Sequence, residues 1–267
     1  MNWRLPLALL GCAFPMLLSV ACGDGKGSAT RATTTEPGET ATAVAVTVVR
    51  HASPKLDGPA SKYAILLADV GLQAYITDIP ATYELDLKSY AASRAFDSPA
   101  DGEAKLKSWG YVNGYETAVT PEGREPAILN GAYAIYVETH IFQDDEGAKK
   151  AYTYFVARVR LNAQEVTAAP VGNQSSAVKA LSGKIAASTQ ARAIHQIVFR
   201  RGNLVSVVQT IGSDTLMKVD AVRNAALIVD DKALGKREVI APTPVPPKPT
   251  RTASPAATVA TPATQTR

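Results

Sequence analysis

Thiols are almost absent from this chain. Its only cysteines are Cys12 and Cys22, so nothing in the 245 residues after Cys22 carries sulfur in reactive form. A Cys nucleophile, a thiolate metal site and a redox pair are excluded there, and a domain in that region depends on its own core rather than on disulfides. Histidine is nearly as rare, with His51, His140 and His195. There is no metal-ligand spacing, glycine-rich phosphate loop or nucleophile elbow, so no metal or cofactor is implied. An excess of one charge is also missing from the central region. Arg4, Lys248, Arg251 and Arg267 account for the imbalance: 28 basic residues less these four leaves 24, against 24 acidic. The pI of about 9.0 therefore belongs to the ends. With no basic stripe on the domain, nucleic acid is not an expected partner.

What is present begins with the first 21 residues. Arg4 is a minimal positive start, Leu5–Leu18 is apolar but interrupted by Pro6 and Pro15, and Ser19-Val20-Ala21 supplies small residues before Cys22. This pattern predicts a signal peptide over 1–21. A retained span is disfavoured, because the apolar run is short of the ~20 residues a membrane helix needs. The segment Leu18-Ser19-Val20-Ala21-Cys22 resembles the lipobox of bacterial lipoproteins, with Ser19 where the usual Leu stands. The resemblance implies cleavage before Cys22 and diacylation of that cysteine. The chain would then be a lipoprotein held on the extracytoplasmic side of the cell membrane by acyl chains such as palmitate. Ordinary secretory cleavage after Ala21 is the alternative.

Residues 22–60 are rich in Gly, Ser, Thr, Glu and Pro and predict a flexible tether. The 37 residues Gly23–Pro59 within it reach roughly 30–36 Å as a flexible chain. Residues 236–267 are rich in Pro, Thr and Ala and predict a disordered tail, with Pro244–Pro249 favouring polyproline geometry. The folded domain is expected over 61–235.

Within it, Ile194–Phe199 and Leu204–Ile211 flank Arg200-Arg201-Gly202-Asn203, the signature of a β-hairpin. A turn at either Arg201-Gly202 or Gly202-Asn203 puts Ile197, Phe199, Leu204, Ser206 and Val208 on one face. Trp109–Thr120 suits a strand with a bulge near Gly110 or Gly114, and Pro121–Pro126 a loop. Tyr133–Phe142 alternates as a strand. Gln143–Glu146 opens a helix with Ala148, Ala151, Tyr152, Phe155 and Val159 on one stripe. A second helix starting at Ser213 or Asp214 carries Leu216, Val219, Val222, Ala226, Val229 and Ala233, with Gly235 as its stop. At an offset of 71 residues, Val137-Glu138-Thr139 falls on Val208-Gln209-Thr210, so a strand–loop–helix unit recurs. The expected class is α+β, an antiparallel sheet with helices on one face.

Chemistry is sparse. His140 shares a strand face with Tyr136 and Glu138, half of a general-base pair or simply a half-exposed strand histidine. Asp144-Asp145-Glu146 fits helix capping better than a cation site. Arg200 and Arg201 at the hairpin tip suit an anionic partner or plain exposure. Tyrosines gather in the first strand–helix unit, and Tyr111, Tyr115, Tyr136 and Tyr154 are the ligand-binding candidates, since a ring and a hydroxyl suit a glycan or amphiphile. Core packing is their plainer role. No residue stands out as catalytic.

Phe142–Ala148 and Val198–Val205 also resemble, in their order, segments of the extracellular sensor domains of actinobacterial receptor kinases and similar small lipoproteins. The disulfide cysteines common in that group are missing here, and no site residues carry over. The resemblance implies an exported binding or sensing domain, non-enzymatic, whose partner is a small molecule, glycan or envelope protein. An exported hydrolase built around His140 is the alternative.

Overall fold

A computed structural model describes residues 52–185 and 188–239. Residues 1–51, which include the expected signal peptide, Cys22 and His51, residues 186–187 and the residues from 240 onward lie outside it. The described chain builds an antiparallel sheet in the order β1-β3-β4-β8-β7-β6-β5, with β2 also paired to β3. The strands are β1 (Tyr75–Thr77), β2 (Tyr83–Leu85), β3 (Tyr111–Pro121), β4 (Ala134–Phe142), β5 (Gln164–Glu165), β6 (Gln174–Lys184), β7 (Ala191–Arg201) and β8 (Leu204–Ser213). The helices are α1 (Leu67–Val70), α2 (Leu87–Ala91), α3 (Pro99–Ser108), α4 (Arg124–Leu129), α5 (Asp145–Arg160) and α6 (Val219–Ala233). The α+β class and the antiparallel sheet agree with the sequence.

The hairpin closes at Gly202-Asn203, with Arg201 opposite Leu204. Gly202 is required there twice over. Its φ is +57°, and a Cβ would meet the Pro54 carbonyl oxygen at 1.9 Å. Ile197, Phe199, Leu204 and Val208 share one core layer with Val222, Ala226 and Val229 of α6. The alternate residues Val198 and Val205 are equally buried, in a second layer with Phe142 and with Ala148, Ala151 and Phe155 of α5. Successive strand residues face opposite sides, so α5 and α6 cover opposite faces of the sheet. That corrects the expectation of helices on one face. Strands apolar on both sides need cover on both.

The repeat at an offset of 71 residues is likewise a succession of elements and not a duplicated packing unit. Val137 and Val208 are cross-strand partners, and both point toward α6. Val208 therefore faces its own helix, while Val137 faces away from its own.

Three local expectations shift. Helix α6 begins at Val219 rather than near Ser213, because Ser213 closes β8 and Leu216 is left 50% exposed. Part of the loop after Pro121 folds as α4. Residues 52–60, assigned above to the tether, run against the hairpin. Asn203 accepts from the Leu56 amide (2.7 Å) and donates to the carbonyls of Leu56 (3.0 Å) and Phe142 (2.6 Å). Arg201 and Asn173 each donate to the Ala52 carbonyl at 2.9 Å.

Candidate functional site

The face of β4 that carries Tyr136, Glu138, His140 and Phe142 divides into a sealed end and an open end. At the sealed end α5 presses Phe155 toward His140, with ring centroids 5.8 Å apart. Tyr90 of α2 stacks on the imidazole at 4.2 Å and Tyr111 lies 5.9 Å away. His140 is 0% exposed. Gly114 stands opposite it in the register, and a Cβ there would come within 2.6 Å of Nδ1 and 2.5 Å of the Tyr111 hydroxyl. The absence of that atom is what lets the two rings close up.

A carboxylate–hydroxyl cluster borders this end. Glu116 and Glu138 are cross-strand partners on β3 and β4. The Tyr83 hydroxyl donates to Glu116 and the Tyr90 hydroxyl to Glu138 at 3.4 Å, while Tyr111 donates to the Leu85 carbonyl at 2.9 Å. Burial, reinforced by the Glu138 charge, pushes the phenols of Tyr90 and Tyr111 well above the usual tyrosine range. They remain donors and cannot serve as bases. His140 Nε2 lies 3.5 Å from Glu138 Oε2, but neither ring nitrogen forms a hydrogen bond among the described residues. The imidazole is walled in by rings, and general-base work needs contact with a substrate proton. This corrects the picture of a half-exposed strand histidine.

Moving along the face, the cover ends. The register places Tyr136 beside Gln209 and Gln209 beside Gln196; the next row is Ala134, Ile211 and Ile194. Tyr136, Gln196, Gln209, Ile194 and Ile211 are all half-buried. Helix α4 borders this strip. Arg124 holds its guanidinium 5.8 Å from the Tyr136 ring centre, and Glu125 accepts from Arg192 at 3.2 Å. One aromatic ring, two primary amides and two aliphatic side chains offer stacking area and paired donors and acceptors on a rigid sheet.

The four candidate tyrosines do not come together. Tyr111 is buried in the α5-side layer, whereas Tyr115 is buried on the α6 side. Tyr154 is half-buried on α5, stacked on Phe96 at 5.6 Å with its hydroxyl on the Ala95 carbonyl at 3.0 Å. Only Tyr136 lies on the open strip.

Arg200 and Arg201 are neither exposed nor free for a partner. Arg200 is 5% exposed and reaches Asp145, Gln174 and the Gly202 carbonyl. Arg201 is 2% exposed and makes a bidentate pair with Asp230 at 2.7 and 2.8 Å. The turn is roofed by residues 52–59, which a two-strand view of the hairpin does not anticipate. Asp144 caps α5 through the Gly147 amide at 2.8 Å, as its sequence position suggested. His195 lies buried on the α6 face. Burial first, then the Lys179 cation, holds its pKa below the usual imidazole value. Sequence reasoning missed Gln196, Gln209 and Arg124. Alternation marks their strand faces, but nothing local says which strands neighbour one another.

The site so defined is an open, polar-aromatic patch on one face of an antiparallel α+β sheet. No family model matches the chain, and no curated protein matches it. Among solved structures, it is similar to the extracellular domain of PknH from Mycobacterium tuberculosis. The similarity is at 11% identity with a TM-score of 0.39, over 68% of this chain and 100% of that one.

Proposed function

We propose that this chain is a lipoprotein anchored through Cys22 to the outer side of the cell membrane, and that its domain binds a ligand or partner without transforming it. The open strip of Tyr136, Gln196, Gln209, Ile194 and Ile211 carries this reading. It offers contact area and hydrogen bonds but no nucleophile. A small molecule, a glycan or an envelope protein suits such a surface.

Two measurements test the proposal. Intact mass of membrane-fraction protein should show a diacylglyceryl group on a chain beginning at Cys22, and Cys22→Ser should release the protein. A full-length unmodified mass refutes the anchor. Native mass spectrometry of the purified protein should show a co-purifying ligand that is lost in a Tyr136→Ala, Gln209→Ala double variant.

The second reading, an exported hydrolase, draws on the 3.5 Å contact of His140 with Glu138 and requires the ring cover over His140 to admit substrate. Loss of several orders of magnitude in hydrolytic turnover in a folded His140→Ala variant would establish it in place of the first.

A further inference from the structure

Beyond Tyr136 the open strip runs into a groove. On β3, Thr120 faces the same side as Ala118, the partner of Tyr136, and Ile76 of β1 is the partner of Thr120. Ile76, Ile79, Pro80 and Pro121 line the apolar part of this groove of about 490 Å³, and Asp78 and Arg124 stand at its polar end. That is the size range of small-molecule sites. Ile76 is 46% exposed and Ile79 62%, two large aliphatic side chains held side by side in water. An apolar chain laid along them would remove that surface from water.

The polar end is equally unusual. Arg124 has φ +24° and Ala74, at the start of β1, has φ +58°; among the described residues these are the non-glycine positions with positive φ. Arg124 lines the groove, while Ala74 holds the Glu122 amide on its carbonyl at 2.8 Å, one residue beyond the Pro121 wall; strain of this kind persists where the surrounding structure enforces it. The Arg124 guanidinium is steadied over the Tyr136 ring. Asp78 forms an ion pair with it at 3.7 Å, a separation too long for a hydrogen bond. Glu125, next in sequence, is engaged by Arg192. The side chain of Arg124 is 41% exposed, so its donor fork remains available to an acid group.

We propose that this groove binds a single-chain anionic amphiphile, the acid group on Arg124 and the apolar chain along Ile76, Ile79, Pro80 and Pro121. The proposal rests on the binding-domain reading and supplies its ligand class. Charge complementarity decides for an anion: among the described residues Arg124 is the cation lining the groove, and its ion pair with Asp78 at 3.7 Å leaves its donors open to a second acid group. The aliphatic lining decides for an alkyl chain over a glycan.

The test is titration calorimetry of the full chain with decanoate, and with decanol as the neutral molecule of equal length. Decanoate should bind at least about tenfold more tightly than decanol, the effect of one charge-assisted contact. Arg124→Gln should abolish that difference, and Ile79→Gln should weaken both ligands. Arg124→Gly relieves the backbone strain and should lose the preference for decanoate while its Tm is unchanged or higher, which separates a lost ligand contact from a lost fold. Equal affinity for the two ligands overturns the proposal, as does unchanged decanoate affinity in Arg124→Gln or association solely with vesicles of anionic phospholipid. A ligand that co-purifies with the wild type and survives Arg124→Gln overturns the groove assignment but leaves the binding-domain reading standing. Absence of decanoate binding to the wild type overturns the proposal and leaves the binding-domain reading, which also admits a glycan or an envelope protein, standing.

Discussion

At the scale of single residues, two ion pairs of the domain have both side chains buried. Arg201 and Asp230 form a bidentate pair with both side chains buried, joining the end of β7 to α6. Lys232, with its side chain 0% exposed, donates to Asp69 at 2.6 Å and to the Ala64 carbonyl at 2.7 Å. Removing one member of such a pair leaves a buried charge uncompensated. Asp230→Ala should therefore cost about 3–5 kcal/mol in urea denaturation, while Arg201→Met with Asp230→Leu should recover most of that loss. His195 makes a second residue-scale prediction. Its pKa is lowered in the folded state from 6.5 by burial and by Lys179. As pH falls through about 6.5, the unfolded chain takes up a proton that the folded chain refuses, so stability declines toward acid until the folded imidazole also titrates. Thermal melts at pH 7.5 and 5.0 should differ less in His195→Gln than in the wild type, by roughly 2 °C or more. An equal difference would show that acid sensitivity arises elsewhere.

At the scale of elements, much of the fold is legible because local patterns specify it. Asp144 reads as a cap, and its carboxylate does take the Gly147 amide. Asp144→Ala should cost about 1 kcal/mol by chemical denaturation. The stripe of α5 is buried at Ala148, Ala151 and Phe155 as its spacing predicts. Where the reading slipped, a neighbour was the cause. The apolar Leu216 and Met217 look like a first helical turn, yet the Leu216 and Met217 amides bond back to Ser213 in a turn that precedes α6. Tyr111 and Tyr115 look alike in sequence, but the register shift between Tyr111 and Asn113 breaks their alternation and sends them into opposite layers. Tyr136, on the open strip, is the candidate whose hydroxyl can be tested cleanly. Tyr136→Phe should weaken ligand binding by about 0.5–1.5 kcal/mol, one hydrogen bond's worth. Tyr111→Phe should instead act on stability, since its hydroxyl serves the buried Leu85 carbonyl.

At the scale of the whole molecule, residues 52–60 act as a strap. Asn203 binds the strap, β4 and the hairpin turn together, and Leu56 packs on the α6-side core. A chain starting at Ser61 should consequently unfold at lower denaturant concentration than one starting at Ala52, and Asn203→Ala should reproduce much of that difference. The sequence by itself determined the class, the hairpin, the stripes of both long helices and the expectation of an exported, thiol-free domain. Those rest on composition and on periods of two and 3.6 residues, which are local properties of a chain. Tertiary structure alone decided that α5 and α6 take opposite faces, that Arg200 and Arg201 are buried, and that the strip and its groove stay open. Each depends on strand order and on which distant segment covers a given face. His140 and Tyr136 show the difference most directly. They lie four residues apart on one strand face, one sealed under Tyr90 and Phe155, the other left half-buried beside Arg124. Alternation placed them together, and only the packing of α2 and α5 over one of them set them apart.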